Sequence, residues 1–415
     1  MSKVIIIGGG AAGLLAGLGA LSTGTHTIIL EKMPKVGRKL LITGKGRCNI
    51  TNKCSIQELI RNIPGNGRFL YSAFGQFTNE DMIQLLEDNG LPTKVERGNR
   101  VFPQSDKAMD VVDTLRKIFL NAKGEILTGH SVTKLEVVED KVVAVACGKK
   151  GEFTADAFVL ATGGASYPGT GSTGDGYKMA QAIGHTVVPL RPALVPLECP
   201  VEYVKNLQGL SLKNVTASLV VNGKIVGKEF GEMLFTHFGV SGPIILSLSE
   251  KMPLKAAETI ELVIDLKPAL AVEQLDARLQ RDFKEFSRKH LANGLDKLLP
   301  QSLIPEIIKA CHLSPEEEVN QITKEQRQTL VTTLKNFTLP ITGTRPLAEA
   351  IVTAGGISLK EVNPKTLGSK LFTNLFIAGE VLDINGYTGG YNLQAAFSSG
   401  YVAGENAGLL AEGKE

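Results

Sequence analysis

Near the front of the chain, KVIIIGGGAAGLLAGLGAL spaces glycines as G-x-G-x-x-G at Gly8, Gly10 and Gly13. That spacing suits a dinucleotide. Gly8 permits a tight turn, Gly10 lets a pyrophosphate approach the backbone, and Gly13 lets a helix pack close to the preceding strand. The helix start at Ala11 and Ala12 offers free N–H groups and the positive end of the helix dipole. HTIIL then leads into Glu31 and Lys32, with Glu31 18 residues after Gly13, near the spacing at which a carboxylate accepts hydrogen bonds from a ribose. The acid favours an adenosine ribose without a 2′-phosphate. Strand, glycines, helix, second strand and terminal acid together are far more specific than a glycine-rich turn.

The elements that carry these residues fit a soluble α/β chain. Val4 to Leu21 has no charge and imitates a signal peptide or membrane span, but it holds six glycines that cut its apolar surface, and VIII reads as a buried parallel strand. A length of 415 residues suggests two or three domains. The 45 glycines exceed the usual share and ask for tight turns or close approaches to a ligand. A net charge of +3 gives no argument for nucleic acid or membrane. Five cysteines, widely spaced and without a CxxC pair, fit reduced thiols in a cytoplasmic protein and argue against zinc and structural disulfides. No metal cluster, Ser-His-Asp set or paired acid–base carboxylates stand out.

Two further stretches complete a nucleotide-binding half. AFVLATGG reads as a buried strand ending in a turn at Ala161, Thr162, Gly163 and Gly164, and STGDGYKMAQAIG, Ser172 to Gly184, turns into a helix. Gly169, Gly171 and Gly174 spell a second G-x-G-x-x-G, but ASYP parts it from its strand and no strand with an acid follows, so no separate NAD(P) site is read there. At the far end, Leu371 to Gly404 gives a short strand, then Gly379 and Glu380, a loop with Gly386, Gly389 and Gly390, and a helix of small residues from about Asn392. A fingerprint answered in this way resembles the flavoproteins of the glutathione-reductase and succinate-dehydrogenase type, and ATGG followed by TGDG is similar to the fumarate-reductase members. The resemblance implies non-covalent FAD, with Glu380 at the ribityl chain or pyrophosphate and the backbone around Val132 at the adenine. A helix start at Gly390, Tyr391, Asn392 and Leu393 then aims N–H groups at the flavin N1–C2=O edge, where negative charge collects on reduction. The competing reading of this helix is packing by small residues.

GKGRCNITN lies in the loop after the second strand, behind GRKLLIT. In the resembled flavoproteins this loop runs beside the pyrophosphate, ribityl chain and ring. Arg38, Lys39 and Arg47 can balance phosphate charge, Thr43, Gly44 and Gly46 can admit the cofactor to the backbone, and Asn49 can reach a flavin edge and act in catalysis. Cys48 reads as an inert cysteine near the ring and in contact with the cofactor, since no CxxxxC redox pair is present. GRKLLITGKGRCNITN, GNRVFPQSDKA, ATGGASYPGTGSTGDGY, GEMLFTHFGVSGP, VTAGGIS and AGEVLDINGYTGGYNLQAAFSSG, in that order, resemble the bacterial flavoproteins described as aminoacetone oxidases, BaiN-like bile-acid enone reductases and ribosomal-RNA dihydrouridine synthases. Two departures stand out: Lys45 where the family more often has glycine, and TLGSK, Thr366 to Lys370, where it usually has TMESK.

The expected organisation is a Rossmann-type FAD-binding domain in two parts, 1–195 and 341–415. Between them come an inserted small β-barrel-like domain over 196–270, a helical subdomain over 271–330 and a return through the β domain over 331–340. Strand signals run through NVTASLVVNGKIVGKEF, with an Asn222-Gly223 hairpin turn, then MLFTHFGVSGPIILSLS and TIELVIDL. From about Ala271 the apolar spacing is helical, and the basic stretch RDFKEFSRKH reads as a solvated face. Small and polar residues around His237 interrupt an apolar strand pattern, which makes it the insertion's chemical candidate as a proton donor to substrate, against a satisfied buried histidine. The expected activity passes hydride through flavin N5, from NAD(P)H as co-substrate to an activated double bond or from a small amine to oxygen. Alternatives are reduction of uridine in ribosomal RNA and a flavin-binding sensor without turnover.

Overall fold

The structure, a computed structural model, describes residues 2–253 and 259–414. The chain forms two compact units, one of Met1–Ala193 with Leu347–Glu415 and one of Leu194–Pro346.

The first unit is built on a five-stranded parallel sheet. Its order is Leu375–Ile377, Ala157–Leu160, Lys3–Ile7, His26–Glu31 and Glu125–Thr128, which puts the first strand at the centre. The apolar runs explain this placement, because Val4, Ile5, Ile6, Phe158, Val159 and Ile29 are fully buried and suit a sheet covered on both faces. The opening helix, Ala11–Ser22, follows the first strand after a three-glycine turn. The closing helix, Tyr391–Ala411, lies along it. Small residues permit that approach: a Cβ added to Gly400 or Gly404 would overlap the backbone carbonyl of Ala12 or Ala16, and one on Gly19 would overlap that of Tyr401. The packing reading of this helix therefore holds for its body, while its first turn remains open to a ligand.

The second unit carries a seven-stranded antiparallel sheet whose longest hairpin pairs Ser211–Val221 with Lys224–Thr236. Asn222 and Gly223 both have positive φ, +48° and +75°, as a two-residue hairpin turn requires. Helices Val272–Glu285, Ile304–Ala310 and Lys324–Lys335 share one apolar core with these strands, so sheet and helices are one unit. PIILSLS, read as strand, is a helix over Pro243–Ser249. Gly242 at φ +95° turns the chain, Pro243 starts the helix, and Ile244, Ile245, Leu248 and Ser249 are buried at helical spacing.

Candidate functional site

The glycine turn does what its spacing asks. Gly8 sits at φ +102°, and a Cβ there would come within 2.7 Å of the Ala161 carbonyl oxygen, so only glycine fits against the neighbouring strand end. A Cβ on Gly13 would overlap the Gly8 carbonyl oxygen, which is the close packing of helix on turn. Gly10 is different, because a Cβ there would meet nothing within 4 Å and point into open space. Gly10 is also the N-cap, without a side-chain cap and without an acid in the first turn, so the N–H groups of Ala11, Ala12 and Gly13 have no partner among the described residues. That open cradle at the positive end of a helix fits a pyrophosphate.

Glu31 closes the turn from the side. Its carboxylate accepts from Gly9 N–H and Met33 N–H, both at 2.7 Å, which fixes it at the end of the second strand. Gly37 N–H donates to the Gly9 carbonyl at 2.8 Å and so places the short helix Arg38–Ile42 beside the turn. Arg38, half-buried at the start of this helix, has no hydrogen-bond or ion-pair partner among the described residues. Lys32 has partners of its own: its ammonium lies 2.5 Å from both Thr173 Oγ1 and Asp175 Oδ2.

GKGRCNITN folds as a left-handed turn. Gly44, Lys45 and Gly46 have φ of +55°, +59° and +84°, and Cys48 is also at +61°. Lys45 thus occupies a position that favours glycine, which is the physical content of that departure from the family. Thr43 Oγ1 donates to the Leu40 carbonyl at 2.7 Å. Cys48 is fully buried and burial pushes its thiol up to about 11, which makes it unreactive. Arg47 pairs with Glu96 and Asp106 and lies 4.2 Å from the Phe102 ring centre. Asn49 ties this segment to the closing helix, its amide donating to the carbonyls of Thr51 and Val101 at 3.1 and 3.2 Å while its oxygen accepts from Gly390 N–H at 3.0 Å.

The closing helix, like the opening one, begins without a side-chain cap. Gly390, at φ +97°, is its N-cap without a side-chain cap, and a Cβ there would overlap the backbone of Thr51. The first turn has no acid. Asn49 claims the Gly390 N–H, and those of Tyr391, Asn392 and Leu393 have no partner among the described residues. The Asn392 side chain instead braces the loop before it, accepting from Gly386 N–H and donating to the Gly386 carbonyl, both at 2.7 Å. Between the two helix starts run Ala161 to Gly164 and Gly379–Glu380. Ala161 N–H donates to the Ile7 carbonyl at 2.9 Å, and Thr162 Oγ1 is buried without a partner among the described residues. Gly163 and Gly379 have positive φ, +73° and +79°. Val132 is buried, and neither its N–H nor its carbonyl is hydrogen-bonded among the described residues. Free N–H groups at two helix starts, an open cradle and an unpaired cation are a donor set that fits FAD.

The HI0933-like protein Rossmann domain family matches residues 2–406. A 3-dehydro-bile acid delta(4,6)-reductase of Clostridium scindens is 31% identical over 411 residues, 98% of this chain and 99% of its own length. The chain belongs to the HI0933-like family. A ribosomal RNA dihydrouridine synthase of Haemophilus influenzae is also 31% identical, over 97% of each chain. The solved 3-ketosteroid delta1-dehydrogenase of Sterolibacterium denitrificans, in complex with 1,4-androstadiene-3,17-dione, covers 100% of both chains at TM-score 0.54 and 14% identity, which shows a shared fold. By family the chain is an FAD-dependent oxidoreductase.

Within this family member the remaining expected residue lies in the second unit. His237, at the bend after Lys224–Thr236, is exposed, with its ring edge-on to Phe238 at 4.9 Å and 80° between planes. The buried-histidine reading of it is removed. Sequence reading missed three partners of Glu380 (Ser166, Thr353 and Tyr177), for which position in sequence gave no signal. It also missed a Ser369–His185–Glu361 chain, with Ser369 Oγ 3.0 Å from His185 Nε2 and His185 Nδ1 3.1 Å from Glu361. This resembles a hydrolytic triad only in outline, because Ser369 Oγ accepts from the N–H groups of Leu371 and Phe372 at 3.0 and 3.1 Å and has no lone pair left for attack. Among the described residues no group of three or more His, Cys, Asp or Glu side chains is arranged for a metal ion, and no helix is long and apolar enough to cross a membrane.

Proposed function

We propose that the chain is a reductase that saturates a carbon–carbon double bond conjugated to a carbonyl, with NAD(P)H as donor. The observation that carries the flavin part is the pair of uncapped helix N-termini, at Ala11 and Tyr391, each with unclaimed N–H groups and no acid in its first turn. FAD bound there supplies the hydride relay through its N5. Ala11, Ala12, Gly13 and Arg38 would hold the pyrophosphate, Glu31 the adenosine ribose, and the backbone of Val132 the adenine. The N–H groups of Tyr391, Asn392 and Leu393 would stabilise negative charge at the ring edge. His237, exposed on the second unit, is the residue we assign to donate a proton to substrate.

The double-bond substrate is favoured over a small amine with oxygen because a delta(4,6)-reductase and a dihydrouridine synthase both name the saturation of such a bond. The second of these also favours uridine in ribosomal RNA as a reading of its own. Anaerobic mixing with NADH and with NADPH should bleach the flavin absorbance. Reoxidation by a conjugated enone, by ribosomal RNA lacking dihydrouridine and by oxygen then separates the readings. Rapid recovery with either double-bond substrate is expected; reduction by a small amine alone, with recovery only in oxygen, would overturn the assignment.

A further inference from the structure

Glu380 stands at the end of the strand Leu375–Ile377, where an acid is expected to touch the cofactor directly. Its carboxylate is already engaged. Lys39 Nζ lies 2.7 Å from Oε2 and 3.0 Å from Oε1, and Thr353 N–H donates to Oε1 at 2.8 Å. Ser166 Oγ lies 3.4 Å from the same oxygen and also accepts from Lys39 at 2.8 Å. The Glu380 backbone carbonyl accepts from the Tyr177 hydroxyl at 3.0 Å, and Thr353 Oγ1 accepts from Ala165 N–H at 2.9 Å. Gly164 packs so closely that a Cβ on it would meet the Glu380 carboxyl carbon at 2.9 Å. Lys39 and Glu380 are both partly buried, and they lie 341 residues apart in sequence.

We propose that Glu380 and Lys39 are positioning residues: their ion pair clamps the short helix Arg38–Ile42 to the glycine turn at Gly163–Gly164 and to Thr353. The consequence falls on Arg38. It is the neighbour of Lys39 on a helix of 5 residues, too short to hold its own orientation, and Gly37 N–H already ties the start of that helix to Gly9. With Lys39 anchored, Arg38 stays beside the glycine turn; with Lys39 released, the helix keeps its Gly37 tie and the buried Leu40 but loses the polar anchor on the side of Arg38. Glu380 therefore acts on cofactor binding through Lys39 and Arg38, with its own carboxylate satisfied by the protein.

The inference rests on the FAD reading and is tested by a double-mutant cycle on the full-length chain freed of flavin, titrated with FAD by fluorescence and melted without it. Glu380→Gln and Lys39→Met should each weaken FAD about tenfold, the double variant no more than either single, and Arg38→Met should be silent in a Lys39→Met background. Additive losses in the double variant would place Glu380 on FAD directly and overturn the clamp. Lowered melting temperature with unchanged FAD affinity would also overturn it, as a merely structural pair. Where Lys39→Met fails to fold, Lys39→Gln with Ser166→Ala reads the same coupling through the same carboxylate. Failure of the underlying FAD reading is distinct, since the unsubstituted chain would then bind no FAD.

Discussion

Single residues in the glycine turn make opposite predictions although they share a motif. Gly10 has an extended backbone, φ −82° and ψ −165°, that any residue can adopt, and a side chain there enters open space. Gly10→Val should therefore keep the melting temperature of the flavin-free protein and abolish flavin binding, because its methyl groups fill the cradle. Gly13→Ala should do the reverse damage, unfolding earlier by about 1–3 kcal/mol as its Cβ drives the helix off the Gly8 carbonyl. Normal FAD titration of the Gly10 variant would sink the cradle. Lys45 offers a gain: it is exposed at φ +59°, so Lys45→Gly removes a left-handed strain of about 1 kcal/mol without losing a contact, and denaturant melts should show a higher midpoint at unchanged slope. At this scale the sequence was readable wherever spacing alone sets the geometry. The charged side chains were less so. Nothing in the sequence signals that Arg47 pairs with Glu96 and Asp106, or that Lys39 meets a carboxylate 341 residues away.

Elements follow the same division between local and distant causes. Four of the parallel strands, Leu375–Ile377, Ala157–Leu160, Lys3–Ile7 and His26–Glu31, were legible because each is a short buried run of apolar residues, a pattern that depends on burial and not on partners, whereas Glu125–Thr128 at one edge is only half-buried. PIILSLS has the same composition, yet becomes a helix, because the apolar run carries no period of its own and Gly242-Pro243 decides the outcome. The closing helix is the case where two readings both apply. Its first turn is open, and its body is glycine and alanine because the opening helix lies against its backbone. Gly404→Ala should cost about 1–3 kcal/mol, since the new Cβ would overlap the Ala16 carbonyl and two helices would have to part. Gly75→Ala is the control, in a helix where a Cβ meets nothing within 4 Å; helix propensity there makes the change neutral or stabilising by up to about 1 kcal/mol. Equal thermal shifts in the two variants would mean that the small-residue contact is not what sets the helix spacing.

For the whole molecule, the topology forces distant segments of the first unit to find each other after 153 residues of the second unit have intervened between Ala193 and Leu347. The joints that do this are polar and buried, and they titrate. His185, fully buried, joins Glu361 and Ser369. Burial lowers its pKa from the ordinary 6.5, against the upward pull of Glu361. Burial alone would raise Glu361, but hydrogen bonds from Thr186 and His185 together hold its carboxyl below the usual 4.5. Both shifts have one sign. The folded protein binds fewer protons at this joint than the unfolded chain, so its contribution is complete above about pH 6.5 and is lost progressively as the pH falls through that value and below. Protonated His185 would present an N–H to Ser369 Oγ, whose lone pairs are taken by Leu371 and Phe372, and the joint would have to open. Thermal melts between pH 8 and 5 should show stability falling below pH 6.5 in the unsubstituted protein. His185→Gln should be less stable at pH 8 and show a flatter slope over that interval, because the proton-linked loss has been removed. Parallel slopes in the two proteins would mean that acid sensitivity arises elsewhere, and that this joint contributes geometry alone.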